Sequence, residues 1–499
     1  MFRSARTVTI LSMFAQFIAF FRTVIIASAF GASDTIDGYY LGLMAPTFLA
    51  TVIVGWLQIS FVGRYTELLT HGNDHLAKLF RSRLLWLLSG FVLLCTTACI
   101  LFPEIVMGGF LKDTQAALKT VSADALRIIG WSIIPLVIAD YLGIVLNSHG
   151  RFFIVALAPL LNATISVLAL WLWPDKDLAV LSWTLLIGSF VQLFVVLGGV
   201  AIMKLTFSFR TTEVAGETKT AILLALPLMP AMMMANAMPI LLQVHFSRLG
   251  EGAVAIYGYA SRLHGALSQV LVIGLSTALL PHLAVLWAKR ENYEINQLFR
   301  RLARMGMLVS VYLVAGIALL GEPAVEFLLG RGRFDANTIQ QVALVWLLLS
   351  FGIFPFAFGT FIAKLCQAMR LPIFIFISSL ISFTITWLMV NWGSARGQFS
   401  VIALAPALAF TATTFFWIIW YLRRFSASQT LVRDLFFALV RSVAVITPAL
   451  MADMAIASFM DGLPNSIILF VRGAAFTTFG AAVLFHTKLD RWFFAINPR

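Results

Sequence analysis

The sequence predicts an all-α polytopic membrane protein with about fourteen transmembrane helices. Hydrophobic residues make up 61% of the 499 residues, charged residues only 11%, and the mean hydropathy is +0.94. Long apolar runs alternate with short polar breaks, whereas a β-barrel would show short segments of alternating polarity. Lysine and arginine concentrate in every second break, so membrane topology explains the net charge of +13 better than a nucleic-acid partner does.

Each apolar run is close to the roughly 20 residues that a helix needs to cross a bilayer. The predicted spans are 7–30, 38–62, 84–106, 124–146, 152–173, 179–203, 220–245, 253–286, 305–329, 338–363, 373–392, 400–422, 435–457 and 464–487. We interpret the first run as an uncleaved span rather than a signal peptide, because Arg22 interrupts it. With the N-terminus inside, Lys and Arg are roughly threefold more frequent in the cytoplasmic breaks, which places both termini in the cytoplasm.

A weak internal repeat suggests two parallel lobes of six spans each. Arg151 and Arg370 are separated in sequence by the same number of residues as Tyr40 and Tyr259. An even number of spans per lobe keeps the two lobes in the same orientation. The predicted parts are an N-terminal lobe at 1–205, a C-terminal lobe at 206–425 and two additional spans at 426–499.

The polar break at 287–306 and the arginines of the last two spans have structural interpretations. The break at 287–306 has apolar residues at helical spacing, which is typical of an amphipathic helix lying on the inner leaflet or of a simple connector. Arg441 and Arg472, in the last two spans, are interpreted as structural or as facing lipid near the interface.

Two arginines inside spans are the main candidates for binding. Arg22 and Arg262 each lie well inside an apolar run, where an arginine costs at least about 2.5 kcal/mol on insertion scales. Such a charge faces a protein interior or a cavity, or else it snorkels to a headgroup. Tyr259 and Ser261, next to Arg262, add polar groups to a predicted cavity wall. Guanidinium groups suit the bidentate capture of a diphosphate.

Two carboxylates are candidates for coupling to an ion. Asp37 opens the second span, where the helix dipole alone would favour a carboxylate. Asp140 lies deeper in its span and is expected to have a partner arginine, a coupling ion or a proton. Arg127, on the same span, would reach Asp140 only across a bend or another helix. Gln16, in the first span, is a further candidate for the polar cavity.

The sequence contains no motif for an ATP-driven or metal-dependent reaction. It has no Walker motif, no HExxH and no nucleophile elbow. Its three cysteines lie in apolar runs and show no metal-ligand spacing. These absences favour a transporter without a bound cofactor over an enzyme. A MATE-like exporter of small cations and a non-transporting scaffold of a polysaccharide synthesis complex remain alternatives.

Four segments resemble those of the MurJ/MviN flippases, in the polysaccharide-exporter superfamily that also contains MATE and Wzx proteins. They are AFFRTVIIASAFGASDTIDGYYLGLMAPTFL, YASRLHGALSQVLVIGLSTALLPHLA, LNSHGRFFIVALAP and LLGRGRF followed by Asp335. The resemblance implies a two-lobed MOP fold in the bacterial inner membrane that flips an undecaprenyl-diphosphate-linked saccharide by alternating access. It assigns Arg22 and Arg262 to the diphosphate and Asp37 to the acidic position after the first span.

The chain departs from that family at several positions. The departures are Gln16 for an arginine, Thr23 for an acidic residue, Ala50-Thr51 for a basic pair, Gly55-Trp56 for Glu-Gly and Ser261 for an aspartate. They favour an exopolysaccharide repeat unit as the substrate, with lipid II as the alternative. Na⁺, H⁺ or the membrane potential would reset the carrier. The expected partners are the lipid-linked saccharide, membrane lipids, a polysaccharide polymerase and glycosyltransferases.

Overall fold

The protein is described by a computed structural model that covers residues 2–111, 116–226, 229–369, 371–425, 429–458, 460, 465–487 and 489–494. Within these ranges the secondary structure consists of helices and no strand is present. The chain divides into two compact units, Met1–Ala255 and Ile256–Arg499. The division predicted from the sequence, at 205 and 425, stays a prediction.

The first unit is built from twelve helices and the start of a thirteenth within the described residues. They are α1 (Phe2–Phe30), α2 (Asp34–Gly42), α3 (Met44–Ser60), α4 (Val62–Thr70), α5 (Asp74–Leu101), α6 (Pro103–Gly108), α7 (Ala116–Ile129), α8 (Ile133–Ser148), α9 (Phe152–Leu172), α10 (Leu178–Ile202), α11 (Ala215–Ala225), α12 (Met229–Phe246) and α13 (Ala253–Ala288). Helix α10 packs against α8 and α9, α9 packs against α1, and α2 packs against α7.

The second unit contains most of α13 and the helices that follow it. They are α14 (Asn292–Leu329), α15 (Ala336–Ser350), α16 (Ile353–Ala368), α17 (Pro372–Ala395), α18 (Phe399–Arg424), α19 (Gln429–Ala457), α20 (Asn465–His486) and α21 (Leu489–Phe494). Helix α17 packs against α18, and the last two predicted spans, α19 and α20, pack against each other and against α14.

Twelve of the described stretches are long and apolar enough to cross a membrane. They are Ile10–Phe30, Asp34–Thr70, Asp74–Leu101, Ala116–Ser148, Phe152–Leu172, Leu178–Ile202, Asn292–Leu329, Ala336–Ala368, Pro372–Ala395, Phe399–Arg424, Leu431–Ala457 and Ile467–His486. The two remaining predicted spans, 220–245 and 253–286, coincide with α12 and α13. The predicted all-α membrane fold is therefore confirmed.

The fourth predicted span is interrupted close to a proline. The fourth span contains a 3₁₀ turn at Gly130–Ser132, directly before α8. Pro135 follows in the first turn of α8, where its missing N–H leaves no hydrogen bond unmade. Proline is thus accommodated at the start of α8, the helix that contains Asp140.

The break at 287–306 differs from the predicted surface helix. Residues from Asn292 onward form the first turns of α14, which continues without interruption to Leu329. The apolar face of this segment is covered by protein, since Ile295 and Phe299 are fully buried in a core with Phe358 and other residues of α16 and α18. Its helical spacing of apolar residues therefore reflects packing within the second unit rather than a surface helix on lipid.

Candidate functional site

Arg22 points into the first unit, where it meets α2 and α10. Its Nη2 donates hydrogen bonds to Tyr39 Oη at 2.9 Å and to the backbone oxygen of Leu181 at 3.2 Å. The guanidinium carbon also lies 5.7 Å from the centre of the Tyr39 ring. Within the part of the chain that the structure describes, Arg22 Nε is buried without a hydrogen-bond partner. The described partners of this cation are therefore neutral groups, and the predicted role of Arg22 in binding a diphosphate stays a prediction.

Asp37 holds the start of α13. Its side chain is fully buried, and its Oδ1 accepts the backbone N–H of Ala255 at 2.7 Å. Ala255 is the third residue of α13, where helix N–H groups lack partners within the helix. A carboxylate here acts as an N-terminal cap and interacts favourably with the helix dipole. The predicted coupling role of Asp37 stays a prediction, beside a contact that explains its burial.

Gly252 makes that contact sterically feasible. Its backbone has φ of +75°, and a Cβ at this position would lie 2.8 Å from the backbone oxygen of Ala32. A side chain would be strained by the backbone conformation and would collide with the segment after α1. The glycine therefore lets the chain enter α13 directly beside Ala32 and Asp37.

Arg262 lies on α13 in the second unit and is exposed. Ser261 Oγ donates to the backbone oxygen of Gly258 at 2.9 Å, so its hydroxyl is engaged within the helix. Tyr259 is fully buried and packs edge-on against Phe334 with ring centres 5.4 Å apart. Arg262 is therefore accessible to solvent, whereas Tyr259 belongs to the core of its unit. The predicted roles of Arg262, Ser261 and Tyr259 remain untested.

Gln16 and Arg22 occupy different environments on α1. Gln16 is exposed, and it precedes Arg22 by six residues. Thr23, which follows Arg22, is buried, and its Oγ1 donates to the backbone oxygen of Ala19 at 3.3 Å. The neutral residues at these positions leave Arg22 as the charged group on this part of the helix.

Asp140 ends a chain of hydrogen bonds that crosses three helices. Ser166 Oγ donates to Asn162 Oδ1 at 3.3 Å, and Asn162 Nδ2 donates to Gln192 Oε1 at 2.7 Å. Gln192 Nε2 in turn donates to Asp140 Oδ1 at 3.3 Å. Only Asp140 was singled out in the sequence. Neutral amides in apolar spans give no charge signal, and their alignment on α8, α9 and α10 depends on packing.

Arg127 is not the partner of Asp140. Its Nη1 lies 2.9 Å from Asp124 Oδ1, one helical turn earlier, and its Nη2 lies 3.1 Å from Glu104 Oε1. All three side chains are largely exposed. The pairing across a bend that the sequence suggested is therefore replaced by a surface cluster at the other end of the span.

Helix α10 connects the two candidate positions of the first unit. Its first turn contains Leu181, the acceptor for Arg22, and its middle contains Gln192, the donor to Asp140. Eleven residues of helix separate these positions, which is about 16 Å along the axis. The anion candidate and the coupling candidate thus contact the same rigid element.

Two cavities of the first unit lie on different faces of the α3–α4 segment. The larger, of about 740 Å³, is lined by Ser60, Gly63, Arg64, Glu67, Gly216, Glu217, Thr220 and Ala221. Arg64 there contacts both Glu67 at 2.8 Å and Glu217 at 3.1 Å. The smaller, of about 580 Å³, is lined by Gln58, Val62, Thr66, Ile144, Asn147, Ser148 and Phe152. The sequence did not reveal either cavity, because Glu217 and Arg64 are far apart in the chain.

The arginines of the last spans have protein partners. Arg472 forms a two-point ion pair with Asp453, at 2.9 and 2.6 Å. Arg441 lies over the ring of Trp492, 4.2 Å from its centre. Both contacts fit the structural interpretation drawn from the sequence rather than a role in binding.

Comparison with known proteins identifies the family. A family model described as "Lipid II flippase MurJ" matches residues 26–471. The lipid II flippase MurJ of Burkholderia cenocepacia is 26% identical over 356 residues, which cover 69% of this chain and 68% of that protein. A probable lipid II flippase MurJ of Buchnera aphidicola (subspecies Acyrthosiphon pisum) is 25% identical over 385 residues, which cover 73% of each chain.

Solved structures show the same fold. One of the lipid II flippase MurJ in an inward closed conformation has a TM-score of 0.80 at 19% identity, covering 97% of this chain and 99% of that one. An inward-facing MATE-family transporter of the MOP superfamily has a TM-score of 0.69 at 14% identity, covering 83% and 96%. The chain therefore belongs to the MurJ family of the MOP superfamily and is a membrane transporter of the flippase type rather than an enzyme.

Proposed function

We propose that this protein flips lipid II from the cytoplasmic to the outer leaflet of the bacterial inner membrane, with both termini in the cytoplasm. The family match over residues 26–471 and relatives that are named lipid II flippases support this substrate. They favour the alternative left open by the sequence over an exopolysaccharide repeat unit. The enzymes that make lipid II and polymerise its product are the expected partners.

One of the departures from the family pattern lies beside α12. A Cβ at Gly55 would overlap Cε of Met232, the end of a flexible side chain that can move aside. Packing around Gly55 therefore does not explain this departure. The MATE-like alternative is less favoured, because its structural match is weaker and Arg22 is a cation inside the first unit.

The observation that carries the proposal is the environment of Arg22. Its hydrogen-bond acceptors are a phenol oxygen and a backbone carbonyl, both neutral, while Nε has no partner among the described residues. A diphosphate would replace these neutral acceptors with anionic ones, and the guanidinium would then gain a counter-charge and a bidentate partner, the geometry to which arginine is suited. Arg262, exposed on α13, would supply the second guanidinium.

The mechanism that follows is alternating access. The diphosphate would bind at Arg22 and Arg262 while the polyprenyl tail stays in lipid, because moving that tail through a polar cavity is unfavourable. Reorientation of the two lobes would then expose the headgroup to the other side. Unloading needs an opposing driving force, which the membrane potential or a bound cation would provide.

Flipping by the purified protein in vesicles tests this function. The substrates are lipid II and an undecaprenyl-diphosphate oligosaccharide without a peptide. We expect transport of lipid II by the wild type, and a loss of at least about tenfold in Arg22→Ala and Arg262→Ala, with partial recovery in Arg22→Lys. Arg396→Ala is the matched control, since Arg396 is exposed and lies over Trp392, 4.5 Å from its centre.

Two outcomes would contradict the proposal. Transport of the peptide-free oligosaccharide without transport of lipid II would favour the hypothesis of an exopolysaccharide substrate. Wild-type rates of lipid II transport in the folded Arg22→Ala/Arg262→Ala double variant would remove both arginines from the substrate site.

A further inference from the structure

Asp140 is a carboxylate in the membrane-spanning part of α8 that no cation neutralises among the described residues. It is partly buried, and its hydrogen bond comes from the neutral amide of Gln192. Arg127, on the same span, is engaged by Asp124 and Glu104 instead. One amide hydrogen bond does not offset the transfer of an ionised carboxylate out of water, so an isolated charge here is strongly unfavourable.

The charged residues packed around α8 lie on two of its neighbouring helices. The sequences of α3, α9 and α10 contain no Asp, Glu, His, Lys or Arg, and neither does the 3₁₀ turn before α8. The titratable and charged residues of the other two helices packed on α8 are Arg64, Tyr65 and Glu67 on α4, and Asp74, His75, Lys78, Arg81, Arg83, Cys95 and Cys99 on α5; Tyr141 lies beside Asp140 on α8 itself.

Two of these cations have other partners. Arg81 donates from Nη1 to Tyr65 Oη at 3.2 Å and from Nη2 to the backbone oxygen of Thr206 at 2.6 Å. Arg64 contacts Glu67 and Glu217. Neither arginine forms an ion pair with Asp140.

The polar chain that ends on Asp140 contains oxygen atoms that can bind a cation. Asn162 and Gln192 lie near the middle of α9 and α10, so the chain sits at mid-depth in the spans. Each member donates toward Asp140 in the order Ser166, Asn162, Gln192. The same side chains hold amide and hydroxyl oxygens, and rotation of the Gln192 amide would turn Oε1 toward the carboxylate.

We propose that Asp140 is a binding site for a monovalent cation, either H⁺ or Na⁺. A proton from the adjoining water would add to a carboxylate oxygen and give a neutral acid. Na⁺ would instead bind to the carboxylate with amide oxygens of the polar chain. In both cases the occupied site is neutral. Its occupancy depends on the concentration of the cation on the side of the membrane to which the first unit opens.

Helix α10 connects this site with Arg22, because both are hydrogen-bonded to it. Arg22 holds the backbone oxygen of Leu181 in the first turn of α10, and Asp140 holds Gln192 in its middle. An anion that draws Arg22 away from Leu181 releases one end of the helix that positions Gln192. Binding at the two positions is then linked, and the linkage is reciprocal. This coupling step rests on the proposed function, whereas the cation site does not.

The binding site can be tested without any transport substrate. Infrared difference spectra of the purified protein would follow the carboxylic-acid band across the physiological pH range, in Na⁺ and in choline salts. The variants are Asp140→Asn, Gln192→Ala and the matched control Asp124→Asn. We expect a band that disappears in Asp140→Asn, persists in Asp124→Asn and shifts its titration in Gln192→Ala.

Comparing the titrations in Na⁺ and in choline salts distinguishes the two cations. A titration that moves to lower pH in Na⁺ but not in choline identifies Na⁺ as a competing ligand, whereas identical titrations identify H⁺ alone. A wild-type spectrum in which neither pH nor Na⁺ changes any band that depends on Asp140 would overturn the proposal, because the carboxylate would then stay in one state.

Vesicle transport separates the coupling step from the function on which it rests. Wild-type flipping of lipid II should rise several-fold with a gradient of the identified cation, and Asp140→Asn should lose that response while Asp124→Asn keeps it. An equal response in Asp140→Asn would contradict the coupling. Failure of the wild type to flip lipid II under any gradient would contradict the proposed function and leave the infrared result to decide the cation site.

Discussion

Arg472 and Asp453 form a two-point ion pair between α20 and α19, with Nε 2.9 Å from Oδ1 and Nη2 2.6 Å from Oδ2. Asp453 is fully buried and the Arg472 side chain is 17% exposed. Both lie in stretches that are apolar enough to cross a membrane. Each charged side chain is therefore neutralised by the other within an apolar environment. The pair links α19 and α20, the two helices that follow the predicted second lobe.

Removing one member of this pair should destabilise the protein. We expect Arg472→Ala and Asp453→Ala each to lower the free energy of unfolding by about 3 kcal/mol, because the remaining charge is left buried and unpaired. The Asp453→Leu/Arg472→Met double variant should be much closer to the wild type. Thermal unfolding in detergent, followed by size-exclusion chromatography, measures this. Equal losses in the single and double variants would show that the ion pair does not carry the effect.

The side chain of Asp37 offers a test between capping and coupling. Asp37→Ala should destabilise the protein by about 1–2 kcal/mol, because the N–H of Ala255 loses its acceptor. Asp37→Asn keeps an oxygen at the same place and should retain most of the stability and transport. If Asp37 instead binds a coupling ion, Asn will be as defective in transport as Ala. Comparing the two variants for thermal stability and lipid flipping decides between these roles.

Much of the fold followed from hydropathy alone. Apolar runs of bilayer length predict helices strongly, and described helices occur at the positions of all fourteen predicted spans. The sequence also predicted an interior position for Arg22, since a charge within an apolar span must find polar partners. Both inferences rely on the free energy of moving groups out of water, which depends on local sequence.

The partners of those charges could not be predicted. Arg127 contacts Glu104 and Asp124 rather than Asp140, because α6 and α7 pack together at the end of the span. The residues around Phe299 have the periodicity of a surface helix, yet their apolar face is covered by α16 and α18. Periodicity shows that one face is buried but not what buries it.

The amide chain on Asp140 and the cap on Ala255 were likewise missed. Asn162 and Gln192 resemble ordinary polar residues of a span, and only packing brings them into line. Asp37 and Ala255 are distant in the chain, so no local pattern connects a carboxylate with the helix start that it caps. These contacts arise from tertiary structure, and a single sequence contains no direct signal for them.

His149 should make stability depend on pH. Its Nε2 lies 3.0 Å from Tyr65 Oη, and burial, with Arg81 nearby, lowers the pKa of the imidazole from its ordinary value of 6.5, while Asp74 opposes this. The folded protein then binds a proton less readily than the unfolded chain. The stability that His149 provides is complete above pH 6.5 and is lost as pH falls toward the lowered pKa.

A variant without a titratable ring checks this dependence. Thermal stability of the wild type should fall more steeply than that of His149→Gln as pH decreases below about 6.5, with a difference in slope of at most about 1.4 kcal/mol per pH unit. His71→Gln is a suitable control, since His71 is exposed. Parallel pH profiles for the wild type and His149→Gln would contradict the expected role of His149.

Two glycines of α10 provide a last test of the polar chain. A Cβ at Gly188 would collide with Ser166 Oγ and Asn162 Oδ1 and would lie 2.9 Å from the Asn162 backbone oxygen, whereas a Cβ at Gly198 meets nothing within 4 Å. Gly188→Ala should therefore displace Asn162 and weaken the response of transport to a cation gradient several-fold. Gly198→Ala should preserve that response and change stability by no more than about 1 kcal/mol. Measuring both variants in vesicles under the same gradient distinguishes a specific disturbance of the chain from a general effect of alanine in this helix. An unchanged gradient response in folded Gly188→Ala protein would mean that the order of Ser166 and Asn162 is not needed for Asp140 to act.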